Sequence, residues 1–158
     1  MVPDQAVRST MRYQITAEAG YLRAELFNRE TVEETRAFLR AVVRENAKHR
    51  RPCVLILVRV SKPIFQVVPH RLIEYIEQLS RTSASRIALV GDTRDLHMSH
   101  EYIELLARQR RLNVRSFRDE PAALQWLKDQ RKAEDRRQRS DRREQERRAS
   151  PVIPQPAG

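Results

Sequence analysis

CVLILV, residues 53–58, is the stretch on which the fold turns. It is too short for a buried helix and too uniformly apolar for a strand with one face in water. Its branched side chains suit a central strand covered on both faces, the arrangement of parallel α/β sheets. Such a strand requires helices on both sides of the sheet. Immediately before it, Lys48, His49, Arg50 and Arg51 place cations where a helix C-terminus favours them, and Pro52 ends that segment. The helix they close is announced by Thr31 and Glu34, spaced as a capping box, with Thr35, Phe38, Leu39, Val42 and Val43 forming one apolar face. Further upstream, Tyr13, Ile15 and Ala17 and then Leu22, Ala24 and Leu26 alternate with polar residues around Gly20, which predicts two strands joined by a tight turn.

Downstream of CVLILV, the spacing of Pro69, Leu72, Ile73, Ile76 and Leu79 predicts a second amphipathic helix. Ile87 to Val90 follows as another buried strand, stopped by Gly91 and Asp92. Ser99 is the expected cap of a third helix that carries Tyr102, Ile103 and Leu106 and ends in Arg108, Arg110 and Arg111. Val114 to Phe117 makes a last short strand, and Asp119, Glu120 and Pro121 open a fourth helix through Ala123, Leu124 and Leu127. The expected fold is therefore α/β, a mixed sheet flanked by about four helices in the order ββαβαβαβα.

From Lys128 to Arg148 the only apolar residue is Ala133, so the stretch has nothing with which to pack. Pairs such as Asp135 with Arg139 and Glu144 with Arg148 would support a solvated helix, and the three prolines from Ser150 to Gly158 predict a disordered end. The expected organisation is a disordered N-terminus at residues 1–10, one domain at 11–127, and a charged helical or disordered tail at 128–158. One core is the expectation, since roughly 115 to 125 residues remain for folding.

Composition bounds the function. The 31 Lys and Arg against 21 Asp and Glu give a net charge of +10, which attracts polyanions without conferring specificity. Lys128 to Arg148 hold ten basic and six acidic residues, so most of the excess lies elsewhere in the chain. Within the tail, Arg136, Arg137, Arg142 and Arg143 are the candidate polyanion contacts; with no aromatic residue beside them, they offer phosphate attraction but no base stacking. The single Cys53 excludes an intramolecular disulfide and a Cys-based zinc site, and fits a reduced compartment. With no apolar run of signal-peptide or membrane-span length, the expectation is a cytoplasmic protein without membrane insertion. Glycine occurs only at 20, 91 and 158, so neither a P-loop nor a dinucleotide fingerprint is available, and no cofactor is implied.

Two places at the carboxyl edge of the sheet, where open α/β folds bind ligands, hold candidate site residues. After the central strand come Ser61, a phosphate acceptor by type, and Lys62, an anion contact by charge. After the next strand come Asp92, Asp95, His97 and His100, a set whose residue types suit acid–base work or a metal. The same types are ordinary helix caps and solvated loop residues, and no metal site is assigned. Phe65, Tyr75, Tyr102 and Trp126 are read as packing residues rather than a pocket lining.

Taken in order, the opening hairpin, the helix from Thr31, CVLILV, SKPIF from Ser61, RIALVGD from Arg86, HEYIELLARQR from His100 and FRDEPAALQWL from Phe117 resemble the SpoIIAA-like group of the STAS superfamily. The resemblance covers residues 11–127 and implies a non-enzymatic regulatory module that binds a protein partner. Its alternative is a domain binding a small anion or lipid-like molecule; polyanion or nucleic-acid binding through the tail ranks below both. In anti-sigma-factor antagonists of this group a serine in an Asp-Ser-Ser-Gly-like turn is the switch. Here that place reads Ser61-Lys62-Pro63-Ile64, which keeps a serine but neither the aspartate nor the glycine. Exposed hairpin or helix faces leave a homodimer open.

Overall fold

A computed structural model of the chain describes residues 10–67 and 71–128. The chain divides into two compact units, and the account below concerns the one that ends at Leu124. Its elements run β1 (Arg12–Glu18), β2 (Tyr21–Phe27), α1 (Val32–His49), β3 (Cys53–Arg59), α2 (Ile73–Thr82), β4 (Arg86–Gly91), α3 (Arg94–Gln109) and β5 (Val114–Phe117). A fourth helix, α4, is described over residues 120–128. The order ββαβαβαβα is the one expected. The N-terminal segment, Pro69 of the second amphipathic helix, and the tail beyond residue 128 lie outside the described residues.

The five strands are ordered β1-β2-β3-β4-β5, so CVLILV is the middle strand. β1 pairs antiparallel with β2 in the register Glu18↔Tyr21, with Gly20 at φ 86° in the turn, a conformation that favours glycine. Every later pair is parallel, which makes the sheet mixed. Because the crossovers step in one direction and share one hand, α1, α2 and α3 stack on one face. There Val54, Ile56 and Val58 join Leu22, Leu26, Phe38, Val42, Ile76, Leu79, Leu89 and Leu96 in a single apolar cluster. The alternate residues Cys53, Leu55, Leu57, Ala88 and Val90 point to the other face and are also buried. Glu120, at the start of α4, reaches Arg23 and Arg59 on that side. Both faces of β3 are thus covered, as its uniform hydrophobicity requires.

Local signals explain the helix ends. Thr31 and Glu34 form both bonds of a capping box, and α1 stops at Arg50, which is left-handed at φ 48° and donates its N–H to the Asn46 carbonyl at 2.7 Å. Asn46 is fully buried; its amide donates to Ser83 Oγ and its carbonyl accepts from the Arg51 N–H, joining the ends of α1 and α2. Asp119 accepts from the Ala122 N–H at 2.8 Å, and Pro121 occupies the first turn of α4.

The third helix departs from expectation. It begins at Arg94, capped by the Thr93 hydroxyl accepting from the Leu96 N–H, and Ser99 lies inside it, buried, donating to the Leu96 carbonyl. The inward stripe is Leu96, Ser99, His100 and Ala107, flanked by the half-buried Tyr102, Ile103 and Leu106. A serine and a histidine on the inward stripe hide its first turns from a hydrophobic reading. Gly91 is what lets α3 start so close to β4: a Cβ there would lie 2.7 Å from Leu96 Cβ and 3.1 Å from the His97 nitrogen.

Candidate functional site

The parallel strands β2 to β5 all end at one edge of the sheet, where the 28–31 segment, the 60–67 segment and the β4–α3 turn meet. Ser61 is half-buried there, its hydroxyl accepting from the Arg29 N–H at 3.0 Å and donating to the Arg59 carbonyl at 2.8 Å. Lys62 exposes its side chain, while its N–H donates to the Arg29 carbonyl and its own carbonyl accepts from Arg29 Nη2. Asp92 is exposed and its carboxylate accepts from the Val60 N–H at 3.1 Å. Ser61 and Asp92, which the sequence placed at a common edge, therefore flank one residue, Val60. That residue is held at φ 48°, a left-handed conformation that a β-branched side chain rarely adopts, and its side chain is 68% exposed. Phe65, further along the same segment, is 48% exposed.

The quartet Asp92, Asp95, His97 and His100 does not converge. Three of its members lie on α3 rather than in a loop, because that helix begins before Asp95. Asp95 faces solvent, His97 Nε2 sits 3.0 Å from Glu101 one turn on, and His100 points into the core. Among the described residues no three of His, Cys, Asp and Glu come together as a metal-ligand set. Asp92, Thr93, Arg94, His97 and Arg118 instead line an open polar groove of about 460 Å³ at the α3 N-terminus.

Behind this edge, between the helices and the sheet, lies an apolar cavity of about 50 Å³ whose walls include Leu26, Phe38, Val58, Val67 and Ile76. Arg29 and His100 also line it. They are buried, at 5% and 3% exposure, and each leaves a buried nitrogen without a hydrogen-bond partner, Nε of Arg29 and Nδ1 of His100. Burial lowers the Arg29 pKa to about 10, against a smaller opposing pull from Glu34, so the guanidinium remains charged at neutral pH. Burial first, then the nearby charge of Arg29 and the His97 imidazole, lowers that of His100 to about 3, so its ring is neutral. Arg29 belongs to no motif legible in the sequence. The available signal was its place between the end of β2 and the capping box at Thr31, which in a parallel sheet is the ligand-binding edge.

On the opposite sheet face Arg23, Glu25, Arg59 and Glu120 form a closed chain of ion pairs. Burial alone would raise the Glu25 pKa; hydrogen bonds from Arg59 and Arg23 outweigh it and lower it. Of the four aromatics, Phe65 is exposed, Tyr75 and Tyr102 pack against the core cluster, and Trp126 belongs to the second unit. Arg136, Arg137, Arg142 and Arg143 lie outside the described residues. No helix among the described residues is long and apolar enough to cross a membrane.

No family model and no curated protein matches the chain. Solved structures do. An anti-sigma factor antagonist from Mycobacterium paratuberculosis superposes with a TM-score of 0.54 at 12% identity, over 76% of this chain and 96% of that one. An uncharacterised protein with a SpoIIAA-like fold from Shewanella loihica gives a TM-score of 0.47 at 15% identity, over 74% and 93%. At such identities the likeness is one of fold alone: the described α/β domain shares the fold of the anti-sigma factor antagonist.

Proposed function

We propose that this domain is a non-enzymatic, cytoplasmic regulatory module that binds a protein partner, and that the contact is the carboxyl edge around Val60. The observation that carries the reading is Val60 itself. A valine in the left-handed region costs about 1–2 kcal/mol, and strain of this kind clusters at binding and switch segments. Here it turns an apolar side chain outward, on the same segment as the exposed Phe65 and held by Ser61, Asp92 and Arg29. A rigid apolar projection with a polar rim suits a protein contact. The similar fold of the mycobacterial anti-sigma factor antagonist supports the same class of role. Ser61 is the candidate modification site within this surface: a phosphate there would displace the bonds to Arg29 and Arg59 that shape the segment.

The test is quantitative co-purification from the native cell with full-length wild type and Val60→Glu. A stoichiometric partner recovered with wild type and lost with the variant supports the reading. Recovery of only non-stoichiometric acidic material, equal for both, refutes it.

A further inference from the structure

We propose that Arg29 and His100 form the polar end of a binding site for a short-chain organic carboxylate, whose apolar body occupies the cavity beneath the sheet edge. The site lies behind the partner surface and adjoins it, since Arg29 also bonds Ser61 and Lys62. Three observations lead to it. A guanidinium and an imidazole, both more than nine-tenths buried, line one cavity and each has a nitrogen without a partner. Buried polar groups are ordinarily satisfied, and two orphans on one cavity mark a missing acceptor. The guanidinium is a full charge among Leu26, Phe38, Val58 and Ile76, so the acceptor that compensates it best is an anion.

The rest of the lining selects which anion. Thr35, the third polar residue of the wall, already donates its hydroxyl to the Thr31 carbonyl. A phosphate would bring more acceptor oxygens than the two orphan nitrogens can serve, whereas a carboxylate has two. One oxygen accepts from Arg29 Nε and the other from His100 Nδ1, whose neutral ring carries its proton on that nitrogen in the bound state. Size sets the body. A water needs about 10–15 Å³ of such space, so about 50 Å³ admits about three to five non-hydrogen atoms, room for the propyl body of butyrate with its carboxylate at the polar end.

The experiment is a titration of the full chain with sodium butyrate, read by thermal unfolding and by the ¹⁵N shifts of the His100 ring. Sodium chloride at equal ionic strength, sodium phosphate, butanol and octanoate serve as comparisons. Saturable stabilisation by butyrate with movement of the His100 resonances, absent for chloride and butanol, is the expected result. Arg29→Met should weaken it about tenfold or more, the loss of a charge-assisted bond. Should that variant fail to fold, His100→Gln, with the wild-type ring shifts, carries the same comparison. Octanoate, whose chain exceeds the cavity, should bind more weakly than butyrate, and tighter octanoate binding overturns the size assigned to the site. No saturable response to either carboxylate, an equal response to phosphate, or an undiminished response in Arg29→Met overturns the proposal and leaves a cavity satisfied by water.

Discussion

Replacing Arg29 by methionine separates a residue kept for a ligand from one kept for the fold. The side chain is 5% exposed and its pKa falls from 12.5 to about 10, with burial as the leading cause. At about 1.4 kcal/mol per tenfold change, holding that charge in the folded protein costs about 3 kcal/mol. The folded state binds the proton less tightly than the unfolded one, so the full penalty is present at every pH below about 10. Methionine keeps an unbranched apolar stem and removes the charge. Against this gain stands the bond from Nη2 to the Lys62 carbonyl, worth about 1.5–3 kcal/mol when the donor is charged. Lys62 is exposed, so water can take over its carbonyl and reduce that loss. The expected balance in carboxylate-free buffer is a variant as stable as wild type or more stable by about 1–2 kcal/mol, a rise of a few degrees in Tm. Urea unfolding with matched m-values measures it. If Arg29 instead closed an obligatory buried ion pair, its removal would cost about 3–5 kcal/mol. A destabilisation above 2 kcal/mol would therefore refute the account of Arg29 as an uncompensated charge awaiting an anion.

Further expectations concern the fold and the edge. His100 is neutral when folded, with Arg29 and His97 the groups that face it, so between pH 6.5 and about 3 the unfolded chain gains a proton that the folded one refuses. Its contribution is complete above pH 6.5 and shrinks with acidification, by at most about 5 kcal/mol; urea midpoints from pH 7 to 4.5 should fall more steeply for wild type than for His100→Gln, and equal slopes would count against it. Gly91→Ala should cost about 1–3 kcal/mol, because the new Cβ meets Leu96 Cβ at 2.7 Å and the first turn of α3 must move; an unchanged chemical-denaturation midpoint would contradict that packing. Asn46→Ala removes, from a fully buried position, the acceptor of the half-buried Arg51 N–H and the donor to Ser83, for a loss of about 1–3 kcal/mol by the same assay. Val60→Gly should relieve strain and raise stability by up to about 1 kcal/mol while weakening partner capture, and a destabilised variant would show the left-handed valine to be misread.

Sequence alone determined the elements whose signals are local. CVLILV is a central strand because six consecutive apolar residues tolerate no wet face, and Thr31 with Glu34 caps α1 because a capping box needs only three residues of spacing. Gly20, Asp119 and Pro121 are equally local. Their order sufficed for the resemblance to a SpoIIAA-like fold, which the superposition bears out as a fold. The candidate site was legible only as an edge. Ser61 and Asp92 both lie there, on either side of Val60, whose left-handed backbone no composition rule would pick out, since its N–H is held by Asp92, far along the chain.

Tertiary structure decided which polar residues are interior. His100 reads as a loop histidine because Ser99 looks like a cap; only the packing of Leu96 against Gly91 shows that α3 began earlier and that its inward stripe carries His100. Arg29 reads as a solvated residue before a helix. It is buried because β2 and β3 run parallel, which brings the 28–31 segment against the 60–67 segment and closes both over the cavity. Burial of a charge depends on what the rest of the chain places around it, and residues far apart in sequence do that placing.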